Sequence, residues 1–186
     1  MGRPHLVLLG SGASLAAFPN GDKCGRVLPI MNNLVEVVGL APILDRAGIE
    51  YNDRDFESAY ADLVSSGQHA ASAHEVEQVV FDYFTRLELP EQPTLYDHLV
   101  LSLRDKDMIA TFNWDPFLWQ AWLRNQGRVS TPTLRFLHGN TAIGGCFRHR
   151  PSQFGQRGAR CSVCGERFVG SRLLYPVAEK GYQEDP

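Results

Sequence analysis

The chain has 186 residues, 44% of them hydrophobic, and a formal net charge of −3. This length fits one globular domain, or one domain with a small inserted module. This slight acidic excess gives no direct indication of a nucleic-acid-binding surface. No apolar run approaches the roughly 18 residues that cross a bilayer, and the N-terminus lacks a signal-peptide pattern. We therefore expect a cytoplasmic protein that has no membrane partner.

The N-terminus predicts a strand that leads into a nucleotide-binding turn. His5–Leu9 is a short, continuous apolar run, which is typical of a buried strand in a parallel sheet. The run is followed at once by a small, glycine-containing sequence: Gly10, Ser11, Gly12, Ala13 and Ser14. Glycines let the backbone approach a pyrophosphate, and the next helix offers N–H groups to the anion. Leu15 stands where the dinucleotide fingerprint has a third glycine, so a plain strand-to-helix turn is the alternative.

A largely helical section is predicted at residues 30–104. Leu34–Leu44 is apolar and is interrupted by Gly39 and Pro42. Apolar residues then recur at helical spacing in three stretches, namely Asp55–Ser65, His74–Leu87 and Thr94–Leu103. The first of these stretches is preceded by Asp53 and begins with Asp55, and either residue can cap the helix.

Two more buried strands are predicted, and each ends on polar residues. Met108–Phe112 runs into Asn113 and Asp115, and Thr133–Leu137 runs into His138. Ligands of parallel sheets bind beyond the carboxyl ends of the strands. We therefore expect these polar residues to line one crevice, with Asn113 orienting a ligand or a water and His138 accepting a proton. Gly139, directly after His138, is expected to leave room for the ligand.

Each of these polar residues also has a structural alternative. Asn113 or Asp115 can cap the helix predicted at Asp115–Asn125, in which Pro116 suits the first helical position. His138, taken alone, is more typical of a packed structural histidine. A capping side chain can still line a cleft, so the two roles are compatible for Asp115.

A metal site is predicted from two closely spaced pairs of residues. Two positions separate Cys146 from His149, two separate Cys161 from Cys164, and eleven separate the pairs. This spacing indicates two knuckles that complete a tetrahedral Zn²⁺ shell, whereas disulfides are rare in cytosolic chains. Four protein ligands leave no open position for water, so the metal is expected to be structural. Cys24 remains as an ordinary small residue.

These elements together predict an α/β fold. We expect a Rossmann-like parallel sheet from residues 1–145 and 171–186, with a helical insert at 30–104 and a zinc-knuckle module at 146–170. The segment 139–170 has little periodicity, so we expect the metal to organise it. Leu173–Val177 is predicted as a last strand.

The order of these motifs resembles the sirtuin superfamily. The likeness runs through Gly10–Ser14 with Phe18-Pro19, Thr111-x-Asn113-x-Asp115, Leu137-His138-Gly139, the two knuckles and Leu174-Tyr175-Pro176. Residues 30–104 resemble the family only in being largely helical, without matching motifs. The resemblance implies NAD binding, with residues 10–14 on the pyrophosphate. It also implies that Asn113 and Asp115 lie near the nicotinamide ribose and carboxamide, and that His138 acts near the ribose hydroxyls.

Several departures separate the chain from the protein deacylases of that family. Phe112 stands where deacylases carry Gln, and Asn20-Gly21-Asp22 stands where they carry Asp-Phe-Arg. Their peptide-holding Val-Val-x-Phe-Gly-Glu strand has no counterpart after the knuckles. The segment Leu173–Val177, with Lys180 and Tyr182, is instead similar to bacterial sirtuin-like domains that resemble NAD hydrolases of antiphage defence.

The resemblance therefore implies cleavage of the nicotinamide–ribose bond, by NAD hydrolysis in bacterial antiphage defence. An NAD-dependent protein deacylase is one alternative, and a catalytically silent nucleotide-binding or assembly module is another. Sirtuin-like folds continue with further strands beyond the point that corresponds to Pro186. An unfinished parallel sheet leaves an edge to be covered, so the resemblance also implies a homo-oligomer or a partner chain that completes the sheet.

Overall fold

The computed structural model describes residues 3–65, 67–127, 130–149 and 154–176, which fall into two compact units. The first unit contains the described residues of 1–28 and 84–173, and the second contains those of 29–83 and 174–186. Among the described residues, no helix combines the length and hydrophobicity needed to span a bilayer.

The described residues form seven helices and six strands. The helices are α1 Ser11–Ala17, α2 Leu34–Val38, α3 Ala41–Ala47, α4 Phe56–Ser65, α5 Ala70–Thr85, α6 Leu95–Ser102 and α7 Phe117–Asn125. The strands are β1 Leu6–Leu9, β2 Met108–Thr111, β3 Thr133–Phe136, β4 Ile143–Gly145, β5 Phe154–Gln156 and β6 Val169–Gly170. The predicted mixed α/β composition is confirmed.

The first unit contains a parallel sheet in the order β1-β2-β3. Thr111 of β2 is paired with Leu9 on one side and with Phe136 on the other, so the three strands end level with one another. Ile109 and Ala110 are buried because β2 is the central strand. The three strands predicted from the sequence are thus confirmed as strands, and their carboxyl ends share one edge. The expected burial of the third strand is wrong, because no residue of β3 is buried and Arg135 is exposed.

The expectation that β1 is buried is wrong. Leu6 and Leu8 are 62% and 61% exposed, and Val7 and Leu9 on the other face are only half-buried. A continuous apolar run shows that a strand can be buried, but it does not supply the element that would cover it. Within the described residues, β1 is an edge strand of its sheet with an apolar face exposed.

Local signals set most helix boundaries. Gly39 ends α2 in the left-handed conformation, with φ of +81°, and Pro42 lies in the first turn of α3, so the predicted interruption is confirmed. Asp55 accepts a hydrogen bond from the Ser58 N–H and caps α4. Helix α5 begins at Ala70, four residues before the predicted start, because its first turn carries helix-forming alanines without an apolar stripe.

Residues 143–172, called here the Cys/His module, contain a second small sheet. Its strands are antiparallel in the order β5-β4-β6. A Cβ at Gly144 would collide with the Val169 carbonyl, so this pairing needs a glycine. The sequence analysis missed the sheet because its strands have only two or three residues. The strand predicted at Leu173–Val177 is wrong for residues 173–176, which are not in a strand, and Val177 lies outside the described residues.

Candidate nucleotide-binding site and metal centre

The carboxyl edge of the parallel sheet brings the predicted polar motifs to one place. The backbone hydrogen bonds between the strands continue one residue past the strand ends. The Phe112 N–H donates to the Leu9 carbonyl at 3.0 Å, and the Leu137 N–H donates to the Thr111 carbonyl at 2.8 Å. Asn113 and His138 therefore occupy corresponding positions, each two residues beyond the end of its strand. Gly10, the first residue after β1, lies at the same edge.

Four side chains form a buried hydrogen-bond network behind this edge. The Ser14 hydroxyl donates to Asp115 Oδ2 at 2.7 Å and accepts from Asn113 Nδ2 at 2.9 Å. Because this donation uses the only Ser14 proton, the Tyr96 hydroxyl at 2.8 Å is the donor in its bond to Ser14. Ser14 thus donates once and accepts twice, which leaves its hydroxyl no remaining hydrogen bond to offer a ligand.

In the part of the chain that the structure describes, the side-chain amide of Asn113 has one unused hydrogen-bond acceptor, its oxygen Oδ1. Its nitrogen uses both hydrogens, donating to Ser14 Oγ and to the Gly10 carbonyl at 3.0 Å. A reversed amide would set Oδ1 against that carbonyl, so the orientation of the amide follows from its neighbours. Asn113 is only 7% exposed, and its Oδ1 has no hydrogen-bond partner among the described residues. A buried acceptor without a partner costs about 1–3 kcal/mol, and a ligand that donates a hydrogen bond would recover this cost.

Asp115 has two roles in this network. Its Oδ1 accepts from the Phe117 N–H at 3.2 Å, so it caps the first turn of α7, while Oδ2 holds Ser14. Burial raises the pKa of Asp115 to about 6, against the opposing hydrogen bonds from Ser14 and Phe117. The capping interpretation of Asp115 and its position behind the sheet edge are therefore compatible, whereas Asn113 does not cap α7.

The raised pKa of Asp115 predicts a pH dependence of stability. Well below pH 3.8, Asp115 is protonated in both the folded and the unfolded protein. As the pH rises from there to about 6, the unfolded chain releases this proton first, so the free energy of unfolding falls by about 3 kcal/mol in total. Urea unfolding of the wild type and of Asp115→Asn measures this change. We expect the fall in the free energy of unfolding to be absent from the variant, which has no ionisable group at position 115.

The pKa of Asp107, another buried carboxylate, is shifted in the opposite direction. The His5 N–H lowers the pKa of Asp107, so the stability that Asp107 contributes is lost only as the pH falls below about 3.8. The free energy of unfolding is plotted against pH for the wild type and for Asp115→Asn. Equal slopes of the two plots between pH of about 4 and 6 would show that Asp115 does not titrate as described.

The backbone conformation at Gly10 and Gly12 does not require glycine, but the two glycines leave open space above the backbone. Gly10 has φ of −118° and ψ of −179°, an extended conformation open to any residue, and Gly12 lies within α1. A Cβ at either position would meet no atom within 4 Å. Ser11 is exposed and Ala13 is half-buried, so only Ser14 of this segment enters the buried network.

His138 is half-buried beside Phe112. The two rings meet edge to face with 5.0 Å between their centroids, and Phe112 is 44% exposed. Gly139 has φ of +79°, and a Cβ there would collide with the Arg172 carbonyl. The expectation that Gly139 makes room for a ligand is therefore wrong, since it makes room for the protein's own backbone.

Cys146, His149, Cys161 and Cys164 form a cluster that could hold a metal ion. Their ligand atoms all lie within 4.8 Å of one another. Cys146 Sγ is 3.5 Å from Cys164 Sγ and 3.3 Å from His149 Nδ1, and Cys161 Sγ is 3.6 Å from the same nitrogen. Tetrahedral Zn²⁺, with Zn–S of about 2.3 Å, separates its ligand atoms by about 3.5–3.8 Å, so the residues fit this ion.

Electrostatics within the cluster also favour a cation. Burial opposes ionisation of Cys161, but the Cys164 and Val163 N–H groups donate to its sulfur and hold its pKa below the usual range. The Glu166 N–H lowers the pKa of Cys164, yet burial and the other two sulfurs raise it overall. The thiols therefore resist carrying several negative charges together, and a bound divalent cation removes that resistance.

Comparison of the chain with models of protein families gives no match, and comparison with curated proteins gives none either. A functional assignment therefore depends on the chemistry of the site itself. Sequence reasoning missed Tyr96, which completes the Ser14 network from α6. A tyrosine in an amphipathic helix has the sequence signal of any core aromatic, so only the fold shows its partner.

Proposed function

We propose that this chain is a sirtuin-like, Rossmann-type NAD-binding domain that cleaves the nicotinamide–ribose bond by hydrolysis in bacterial antiphage defence. The observation that carries the proposal is Asn113 Oδ1, a buried acceptor without a partner at the carboxyl edge of a parallel sheet. Both hydrogens on the Asn113 nitrogen are already in use. The site therefore selects a group that donates a hydrogen bond, such as a ribose hydroxyl or a water.

The surroundings of Asn113 suit a dinucleotide. Open space above Gly10 and Gly12 allows close approach of a pyrophosphate to the backbone. Asn113 accepts from a ribose hydroxyl or from the attacking water, and Asp115 holds it in place through Ser14. These groups are fixed before the substrate arrives, so they need no reorganisation when charge develops on the ribose.

His138 is assigned as the proton acceptor. As the bond between the nicotinamide nitrogen and ribose C1′ breaks, neutral nicotinamide leaves with the electron pair. The water oxygen bonds to C1′, and its proton passes to His138, which suits this role near neutral pH. The absence of a deacylase-type peptide-holding strand from the sequence favours water over an acyl-lysine as the acceptor.

Zn²⁺ is proposed as the ion of the Cys/His module, where four protein ligands would close its coordination shell. Its role there is structural. The position of β1 at the edge of the sheet in the described residues favours a second proposal, in which a second copy or a partner chain adds strands there. A catalytically silent assembly module would use the same edge without any cleavage of NAD.

Chromatographic detection of nicotinamide separates these functions. The purified, zinc-containing chain is incubated with NAD, and we expect nicotinamide and ADP-ribose in equal amounts. Binding of NAD without release of nicotinamide would favour the silent module. Absence of both binding and cleavage would refute the proposed function.

The glycine segment gives a prediction about NAD binding. Gly12→Val should abolish the binding of NAD, because a branched side chain fills the open space above the backbone. Stability should change little, since Gly12 lies in a helix, where Gly itself costs about 0.5–1 kcal/mol relative to Ala. Calorimetric titration with NAD and thermal melting measure the two effects. The matched control is Ala71→Val, at the exposed second position of α5, and unchanged NAD affinity in Gly12→Val would show that the segment is only a turn.

A further inference from the structure

The Cys/His module is strongly basic, although the whole chain is slightly acidic. Residues 143–172 contain six of the chain's 18 Lys and Arg residues but only one of its 21 Asp and Glu residues. The basic residues are all arginines, namely Arg148, Arg150, Arg157, Arg160, Arg167 and Arg172, of which Arg150 lies outside the described residues. Positive charge is therefore concentrated in one part of the chain, although the net charge of the whole chain is −3.

Two of these arginines face each other directly. Arg160 and Arg167 are partners in an antiparallel bridge, and both are exposed. Neither takes part in an ion pair within the described part of the chain, and Arg160 Nη1 donates to the Gly165 carbonyl at 3.0 Å. Like charges at directly opposed positions destabilise a strand pair. An anion bound between the two guanidinium groups would turn this repulsion into attraction.

Exposed apolar side chains lie on the loops that carry the metal ligands. Phe147, between Cys146 and His149, is 85% exposed, and Val163, between Cys161 and Cys164, is 65% exposed. Because the four ligand atoms lie within 4.8 Å of one another, the two loops are neighbours. Arg148 follows Phe147 directly and is also exposed. An aromatic ring this exposed is costly in water and is well placed for a flat partner to stack on.

We propose that the Cys/His module binds single-stranded nucleic acid. Arg160 and Arg167 contact backbone phosphates, a base stacks on Phe147, and Arg148 adds a further phosphate contact. An acidic peptide would satisfy the arginines but has no flat ring to match Phe147. A duplex is disfavoured because the described residues of the module include no helix to enter a major groove.

Fluorescence anisotropy with a labelled oligothymidylate tests the proposal on the full-length, zinc-containing protein. The double variant Arg160→Gln/Arg167→Gln should weaken binding by at least about tenfold. It should also reduce the slope of log K against log salt by about 1.4, at about 0.7 for each lost phosphate contact. Phe147→Ala should weaken binding about tenfold through lost stacking and leave the salt slope unchanged.

A double variant elsewhere serves as the charge-matched control. Arg46→Gln/Lys106→Gln removes two exposed cations outside the module and should bind as the wild type does. Zinc content and melting temperature, measured on every variant, separate lost contacts from a lost fold.

Three results would overturn the proposal. The first is the absence of oligothymidylate binding at low salt. The second is stronger binding of polyglutamate than of the oligonucleotide, together with no effect of Phe147→Ala, which would identify an acidic peptide as the partner. The third is self-association of the wild type that the arginine double variant abolishes while oligonucleotide binding stays unchanged. That result would show that the arginines bind a second copy of this acidic chain.

Discussion

Removal of zinc, or replacement of Cys161 by Ser, is expected to unfold the Cys/His module. The buried apolar cluster of this module consists of Cys146, Cys161 and Phe168, with Cys164 packed against it. Three of these four residues are candidate metal ligands, so the core is largely the proposed metal site itself. Structural Zn²⁺ contributes on the order of 10 kcal/mol in small modules, far more than strands of two or three residues can supply.

The effect of metal loss should extend to the carboxyl edge of the parallel sheet. Ser171 Oγ donates to the Asn140 carbonyl at 2.7 Å, and Gly139 packs against the Arg172 carbonyl, so the end of the module supports the segment after His138. Asn113 is held instead by Gly10 and Ser14, which lie outside the module. We therefore expect metal loss to displace His138 more than Asn113.

Elemental analysis and thermal melting with and without a chelator measure this effect. The control is Cys24→Ser, which alters an exposed free cysteine outside the cluster and should change neither zinc content nor melting temperature. Freshly purified protein without zinc would contradict the prediction. So would a Cys161→Ser variant that melts like the wild type.

The sequence predicted the parallel strands and the Cys/His cluster because both depend on short-range patterns. An apolar run that ends at glycine or at polar residues marked each strand, and the spacing of Cys146, His149, Cys161 and Cys164 marked the cluster. The order of the strands in the sheet then placed the polar residues at one edge. No contact between distant residues was needed for these predictions.

The features that the sequence did not predict depend on tertiary partners. Exposure of Leu6 and Leu8 reflects the edge position of β1, which no local pattern encodes. The contact of Tyr96 with Ser14 joins residues 82 positions apart. The positive φ of Gly139 serves a contact with Arg172, far along the chain, so a local interpretation assigned its free space to a ligand.

Asn113→Ala and His138→Ala should each lower the cleavage of NAD by about 10²–10⁴-fold per folded molecule. Asn113→Ala removes the buried, unpartnered acceptor Oδ1, so we expect neither a ribose hydroxyl nor a water to be oriented. In His138→Ala, the proton acceptor is lost. Both variants should keep their zinc, because neither residue is a ligand of the cluster.

Stability separates this prediction from a purely structural role for Asn113. The alanine variant loses hydrogen bonds to Gly10 and Ser14, at about 1 kcal/mol each, but it also removes the unsatisfied Oδ1, which offsets part of that cost. We therefore expect a small change in melting temperature beside a large change in rate. A structural asparagine would give the opposite pattern, with lower stability and unchanged cleavage per folded molecule.

Asn125 provides the matched control. It is also buried, and its Nδ2 also donates twice, to Asp97 Oδ1 at 2.7 Å and to the Ala121 carbonyl at 2.8 Å, but it lies at the end of α7. Asn125→Ala should therefore lower the melting temperature and leave the rate per folded molecule intact. Nicotinamide release and thermal melting are measured on the same preparations. Full cleavage with alanine at both 113 and 138 would refute the assignment of the site, since the chemistry would then need neither residue.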